Sequence, residues 1–168
     1  MRTLALLLLT ILAFPAQAAN FCGNMVMPAA ALSSISRGFS AYHSGIDLAA
    51  PMGSTIRAAA AGTVVYAGWY EGYGNMIDIR HADGLVTRYA HMSAFVPNIG
   101  NGSPVQAGQV IGLVGETGHA TGNHLHFEVR VNGYAVDPAP FIGLGRCVVQ
   151  PPKAPVEEAY APANAPRH

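Results

Sequence analysis

Charge is scarce in this chain and carries no excess of either sign. Nine basic side chains stand against nine acidic ones in 168 residues, and charged residues make up 11% of the total. So balanced a sequence has no basic stretch with which to meet phosphates, which argues against nucleic acid as a partner. Long apolar runs are also few. After Leu4–Phe14, none is long enough to cross a bilayer. Cysteine is limited to Cys22 and Cys147, and neither lies in a Cys-x-x-Cys or Cys-His pattern. A thiol-based metal or redox site is therefore not expected.

The first residues are Arg2, the apolar run, Pro15 and then Ala16-Gln17-Ala18. A basic start, a short apolar core and a small-x-small site read as a secretory signal peptide cleaved after Ala18. Export places the protein in the periplasm or outside the cell, with no stable membrane insertion after cleavage. In an oxidising compartment Cys22 and Cys147 are expected to pair, tying the two ends of the domain together. A disulfide closing so long a loop contributes roughly 2–4 kcal/mol, mostly through the unfolded state. The expected organisation is a signal peptide over 1–18, a short segment over 19–36, one domain over 37–145 and a tail over 146–168. The tail holds Pro151, Pro152, Pro155, Pro162 and Pro166 without any periodicity, so it is expected to be disordered or extended. Nothing in the sequence demands an oligomer, and a monomer is expected.

Within the domain the punctuation is that of strands. Ile77 and Ile79 alternate with Asp78 and Arg80, the pattern of a strand with one buried face. Ala82-Asp83-Gly84 and Asn132-Gly133 are hairpin turns. Short apolar stretches follow one another at Thr55–Ala59, Gly62–Trp69, Leu85–His91, Val110–Val114 and His124–Val131. Ser93–Asn101 and Gly115–Asn123 read as loops. Ala29–Ser34 admits a short helix opened by Pro28, while Ser33–Gly38 reads better as a turn and an edge strand. The fold class expected is all-β and largely antiparallel.

Four of the seven histidines fall into three small clusters. On a strand, residues i, i+2 and i+4 share a side, so His43, Gly45 and Asp47 are expected to project together, Gly45 leaving space between two ligands. His124 and His126 share a face while Leu125 and Phe127 enter the core. His91 stands alone in the apolar run Tyr89-Ala90-His91-Met92. A catalytic zinc ion takes three protein ligands and keeps a position for water. Two imidazoles and a carboxylate meet that count, and surplus imidazoles suit proton transfer. The residues alone leave open which histidines hold the metal.

His43-x-Gly45-Ile46-Asp47, Tyr89-Ala90-His91 and Thr121-Gly122-Asn123-His124-Leu125-His126-Phe127-Glu128 resemble the three signature motifs of the lysostaphin-like (LytM-type) zinc peptidases. Ala58-Ala59-x-x-Gly62-x-Val64, Tyr73-Gly74-Asn75, Gly108-Gln109-x-Ile111-Gly112 and Gly118-x-x-Thr121-Gly122 extend the likeness, which runs from about His43 to Pro138. The block Ser34–Ser40 is shorter than its counterpart in the family, and Asn123 stands where Pro or Ser is common. The resemblance implies an open barrel or sandwich of the duplicated-hybrid-motif kind, with the active site in a loop-walled groove. It implies one zinc per chain held by His43, Asp47 and His126. His91 and His124 would then be the catalytic histidines off the metal. The implied activity is hydrolysis of peptide bonds in peptidoglycan cross-links or stem peptides. The alternative is a non-catalytic wall protein, or an activator of wall amidases, that keeps the fold. Retention of all five polar site residues favours catalysis. A closed four-ligand site in a structural or metal-buffering protein is a third reading.

Other residues carry two readings each. Glu128 is either a hydrogen-bond partner for a ligand imidazole or an exposed strand carboxylate. Arg88 either meets a substrate carboxylate or is a solvated strand arginine. Trp69, Tyr70 and Tyr73 either line the groove or pack a loop. His81 and His119 are expected to be structural or solvent-facing. Residues 19–42 could fold over the cleft and hold the enzyme latent.

Overall fold

A computed structural model describes residues 23–82 and 84–146. The signal peptide, the Cys22–Cys147 pair and the proline-rich tail lie outside the described residues.

Among the described residues eleven strands run in order: β1 (Ser34–Arg37), β2 (Ile46–Ala49), β3 (Thr55–Arg57), β4 (Gly62–Tyr70), β5 (Gly74–Arg80), β6 (Val86–Met92), β7 (Ala94–Phe95), β8 (Pro104–Val105), β9 (Val110–Leu113), β10 (His124–Val131) and β11 (Tyr134–Val136). Among the described residues there is no helix. Ala29 instead forms an isolated bridge with Ile56, and Ser34 already belongs to the edge strand β1. The expected all-β, antiparallel fold is the one observed.

The main sheet has the order β1-β2-β10-β6-β5-β4-β8, with β11 also paired to β10. A smaller sheet has the order β3-β9-β7. Every pairing is antiparallel. One apolar cluster joins the two, with Leu48, Val64, Ile77, Ile79, Tyr89, Leu125 and Phe127 from the main sheet and Ile56 and Ile111 from the smaller one. The tyrosine inside that core has its hydroxyl satisfied. Tyr89 accepts the Ala59 amide at 2.8 Å and bonds Thr87 Oγ1 at 2.9 Å. Thr87 in turn lies 2.8 Å from His81 Nε2, whose Nδ1 donates to the Ala61 carbonyl at 2.8 Å. His81 is thus a buried structural residue.

Strand β10 is central. Residues His124–Phe127 pair with β2, Val129–Val131 pair with β11, and His126–Arg130 pair with β6. Its odd residues Leu125, Phe127 and Val129 are fully buried in the core. Its even residues therefore project from the opposite face, as strand alternation requires.

The segment before residue 37 is built into this architecture. Met25 and Ala29 are core residues, the Val26 amide bonds the Ala59 carbonyl at 2.7 Å, and β1 pairs with β2.

Candidate metal centre

The even face of β10 meets β2 at one point. Register pairs His126 with Asp47 across the two strands, so the imidazole and the carboxylate face each other without any loop contribution. Asp47 Oδ1 lies 2.8 Å from His126 Nδ1 and 3.0 Å from His43 Nε2, and the two ring nitrogens are 3.1 Å apart. All three residues are buried.

His43 reaches this point differently from the sequence expectation. It precedes β2 and forms a bridge with Ser40, so strand alternation does not place it. Its Nδ1 donates to the Gly38 carbonyl at 2.8 Å, which turns Nε2 inward. Gly45 also serves another purpose than spacing two ligands. A side chain there would collide with the Phe127 carbonyl and lie 3.0 Å from both Glu128 Cγ and His126 Cε1. Glycine is what allows this bend to lie against β10.

The arrangement fits a cation. His43 Nδ1 donates to a carbonyl, and His126 Nε2 donates to Glu128 Oε1 at 3.0 Å. What remains facing inward is two ring nitrogens and a carboxylate oxygen. Their separations come close to the roughly 3.3 Å edge of a tetrahedron with bonds of about 2.0 Å. Buried charge points the same way. Asp78 is paired with Arg88 and Glu128 with Arg130, whereas among the described residues the ion-pair partners of Asp47 are the imidazoles of His43, His124 and His126. Burial disfavours the Asp47 carboxylate, yet hydrogen bonding and charge from His126, with His43 and His124 behind, hold its pKa below the ordinary range. Burial also disfavours protonated His126, but Asp47 and Glu128 outweigh it and raise the pKa.

Two more imidazoles adjoin the three. His124 Nδ1 donates to the Gly122 carbonyl at 2.8 Å, leaving Nε2 inward at 3.6 Å from Asp47 Oδ1. His91 Nδ1 donates to the Thr117 carbonyl at 2.7 Å. The His91 and His124 ring centroids are 4.8 Å apart. Burial pushes the His91 pKa down to about 4, so this imidazole is neutral at neutral pH.

Simple alternation would send His91 into the core with Tyr89. A β-bulge prevents this. Asn75 pairs with Met92 but Ile77 pairs with Tyr89, so Ala90 and His91 together oppose Met76. His91 has φ of 61°, and the parity change returns Met92 to the core. Bulges re-aim side chains in this way. No glycine marks the site, so the sequence held no local signal for it. Above it, the tip between β4 and β5 meets the 115–123 loop. Tyr73 O accepts the His91 amide at 2.9 Å, and Gly72 O accepts the His119 amide at 2.8 Å. His119 itself is exposed.

The remaining candidates separate cleanly. Glu128 is wholly buried, which removes the exposed-carboxylate reading. Its Oε1 accepts from Ser44 Oγ at 2.6 Å and Tyr73 OH at 2.8 Å besides His126, and its Oε2 accepts from Arg130. Burial, aggravated by the Glu128 charge, drives the Tyr73 phenol up to about 12, so it stays a donor. Arg88 is not the solvated strand arginine of one expectation. It is buried and held bidentately by Asp78 at 2.9 and 3.0 Å. Its guanidinium lies 4.6 Å from the centre of the Tyr73 ring. Trp69 ends the expected Gly62–Trp69 stretch and Tyr70 extends β4 beyond it, with Trp69 exposed and Tyr70 6.3 Å from Tyr66, ring to ring.

Fold and site together define an antiparallel β-protein with a cation-shaped His/Asp/His cluster flanked by two further imidazoles. Residues 41–138 match peptidase family M23, and the chain belongs to that family. This is the group towards which the lysostaphin-like motifs pointed. The DD-carboxypeptidase/endopeptidase Mpg of Neisseria meningitidis is 53% identical over 96 residues, covering 57% of this chain and 22% of Mpg. The peptidoglycan DD-endopeptidase ShyC of Vibrio cholerae is 40% identical over 96 residues, covering 57% of this chain and 22% of ShyC. The chain thus spans less than a quarter of the length of these relatives. The crystal structure of a zinc-containing peptidase from Vibrio cholerae superposes with a TM-score of 0.61 at 33% identity, covering 67% of this chain and 37% of that one.

Proposed function

We propose that this protein is a zinc-dependent endopeptidase that hydrolyses peptide bonds in peptidoglycan cross-links or stem peptides. The observation that carries this reading is the convergence of His43 Nε2, Asp47 Oδ1 and His126 Nδ1 within 3.1 Å of one another, with donors arranged only on their outer sides. His43, Asp47 and His126 would hold one zinc ion per chain. When bound, the ion supplies Lewis acidity that polarises a carbonyl and lowers the pKa of water.

The protein's own groups do the proton work. His91 and His124 each tie Nδ1–H to a backbone carbonyl, so each offers Nε2 as a lone pair. Their separation suits a water or substrate oxygen between them. His91, neutral through its burial, accepts a proton from the attacking water. The imidazolium so formed stabilises the developing oxyanion, and the proton passes to the leaving amine. His124, on the metal-side strand, orients the water. The D,D-peptide chemistry in the names of Mpg and ShyC, and the peptidoglycan in that of ShyC, supply the substrate class. Wall substrate and the expected signal peptide agree on a periplasmic or extracellular location for a monomeric domain.

The test is incubation of the purified protein with cross-linked peptidoglycan. Release of un-cross-linked fragments, abolished by a chelator and restored by zinc, supports the reading. Intact cross-links in zinc-loaded protein would shift weight to an amidase activator that keeps the fold.

A further inference from the structure

Beyond the three inward acceptors, the outer face of the main sheet carries a buried polar row. Register places Asp78 opposite Arg88, and Arg88 opposite Glu128, across β5, β6 and β10. None of the three is more than 4% exposed. A buried ion pair is weak evidence for stability, because well-packed apolar residues in its place are often as good or better. The contacts of this row give it another use.

We propose that Asp78, Arg88 and Tyr73 are positioning residues that act through Glu128 to set how His126 binds the metal. The inference rests on the zinc-site reading above. The chain of contacts is continuous. Asp78 grips the Arg88 fork at two points, at 2.9 and 3.0 Å. Arg88 lies under the Tyr73 ring, 4.6 Å from its centre. Tyr73 donates to Glu128 Oε1 at 2.8 Å, and the same oxygen accepts from His126 Nε2 at 3.0 Å. The Tyr73 and His126 rings are themselves 5.6 Å apart. Arg88 thus fixes the plane of Tyr73, Tyr73 fixes one oxygen of Glu128, and that oxygen fixes the rotation of His126 about its bond to β10. A planar, forked cation suits this task and a lysine does not, since lysine offers a point charge with neither fork nor flat face. Partners of a ligand imidazole commonly change metal affinity by about 10–100-fold when removed.

The experiment measures zinc affinity of the full chain by chelator competition, and the visible spectrum of its cobalt-substituted form, for wild type, Arg88→Lys, Tyr73→Phe and Glu128→Gln. Thermal midpoints of the metal-free forms control for folding. The expected result is zinc binding weakened about tenfold by Arg88→Lys and by Tyr73→Phe, with an altered cobalt spectrum in each. Each should also add little to Glu128→Gln when combined with it, because residues acting in series are not additive. Should Arg88→Lys fail to fold, Tyr73→Phe carries the test, as it keeps the ring over Arg88 and removes only the hydroxyl. Wild-type affinity and spectrum in both variants, or full additivity with Glu128→Gln, would overturn the proposal. Absence of metal binding by the wild type would instead overturn the zinc-site reading on which it rests.

Discussion

Glu128 Oε1 lies 3.0 Å from His126 Nε2, and this bond decides that Nδ1 is the nitrogen left facing Asp47. A ring whose two nitrogens differ in their partners has only one useful orientation. The same carboxylate gathers Ser44, Tyr73 and Arg130 while wholly buried. Glu128→Ala therefore breaks the buried Glu128–Arg130 pair. It is expected to destabilise the metal-free protein by about 3–5 kcal/mol, read from urea denaturation. A loss below about 1 kcal/mol would show that the network reorganises freely.

Gly45 tests the packing of the first motif on β10. Gly45→Ala brings a methyl group against the Phe127 carbonyl, with Glu128 Cγ and His126 Cε1 at 3.0 Å. Backbone must move to admit it. The expected cost is about 1–3 kcal/mol, together with weaker zinc binding measured on the same preparation. Gly122→Ala is the control, since nothing lies within 4 Å of the added carbon there. Its stability should stay within about 0.5 kcal/mol of wild type.

The bulge at Ala90–His91 gives a pH dependence of known sign. Burial lowers the His91 pKa from 6.5 to about 4. Below 6.5 the unfolded chain takes up a proton that the folded chain refuses, so this residue makes stability fall as pH falls towards 4. His91→Gln removes that contribution. Between pH 6.5 and pH 4.5 the metal-free variant should lose less stability than metal-free wild type, as read from denaturant midpoints. Equal losses would mean that His91 titrates normally in the folded protein.

Much of this site was legible because it is local. His124, Leu125, His126 and Phe127 alternate on one strand, and alternation alone separates two imidazoles from two core residues. Asp47 faces His126 by register, which the hydrophobic pattern of β2 and β10 enforces. His91 was not legible from its strand, because its direction depends on one extra residue and a positive φ without glycine. The burial of Arg88 was not legible because its partner Asp78 lies across a strand pair. Nothing in Thr87-Arg88-Tyr89 reveals that a carboxylate waits opposite. The Gly62–Trp69 stretch was legible as a strand, and pairing of Tyr70 with Gly74 carries β4 one residue further.

His124 separates metal binding from chemistry most directly. Its Nδ1 bonds Gly122 O, and its Nε2 stands 3.6 Å from Asp47 Oδ1, outside the tight group of three. The decisive measurement is zinc content and hydrolysis of cross-linked peptidoglycan on the same sample, for wild type and His124→Ala. The account predicts about one zinc per chain in both. It also predicts cleavage by wild type and a rate lower by about 10²–10⁴-fold in the variant. Loss of zinc from the variant, or undiminished cleavage by it, would contradict the assignment of His43, Asp47 and His126 to the metal and of His124 to the reaction.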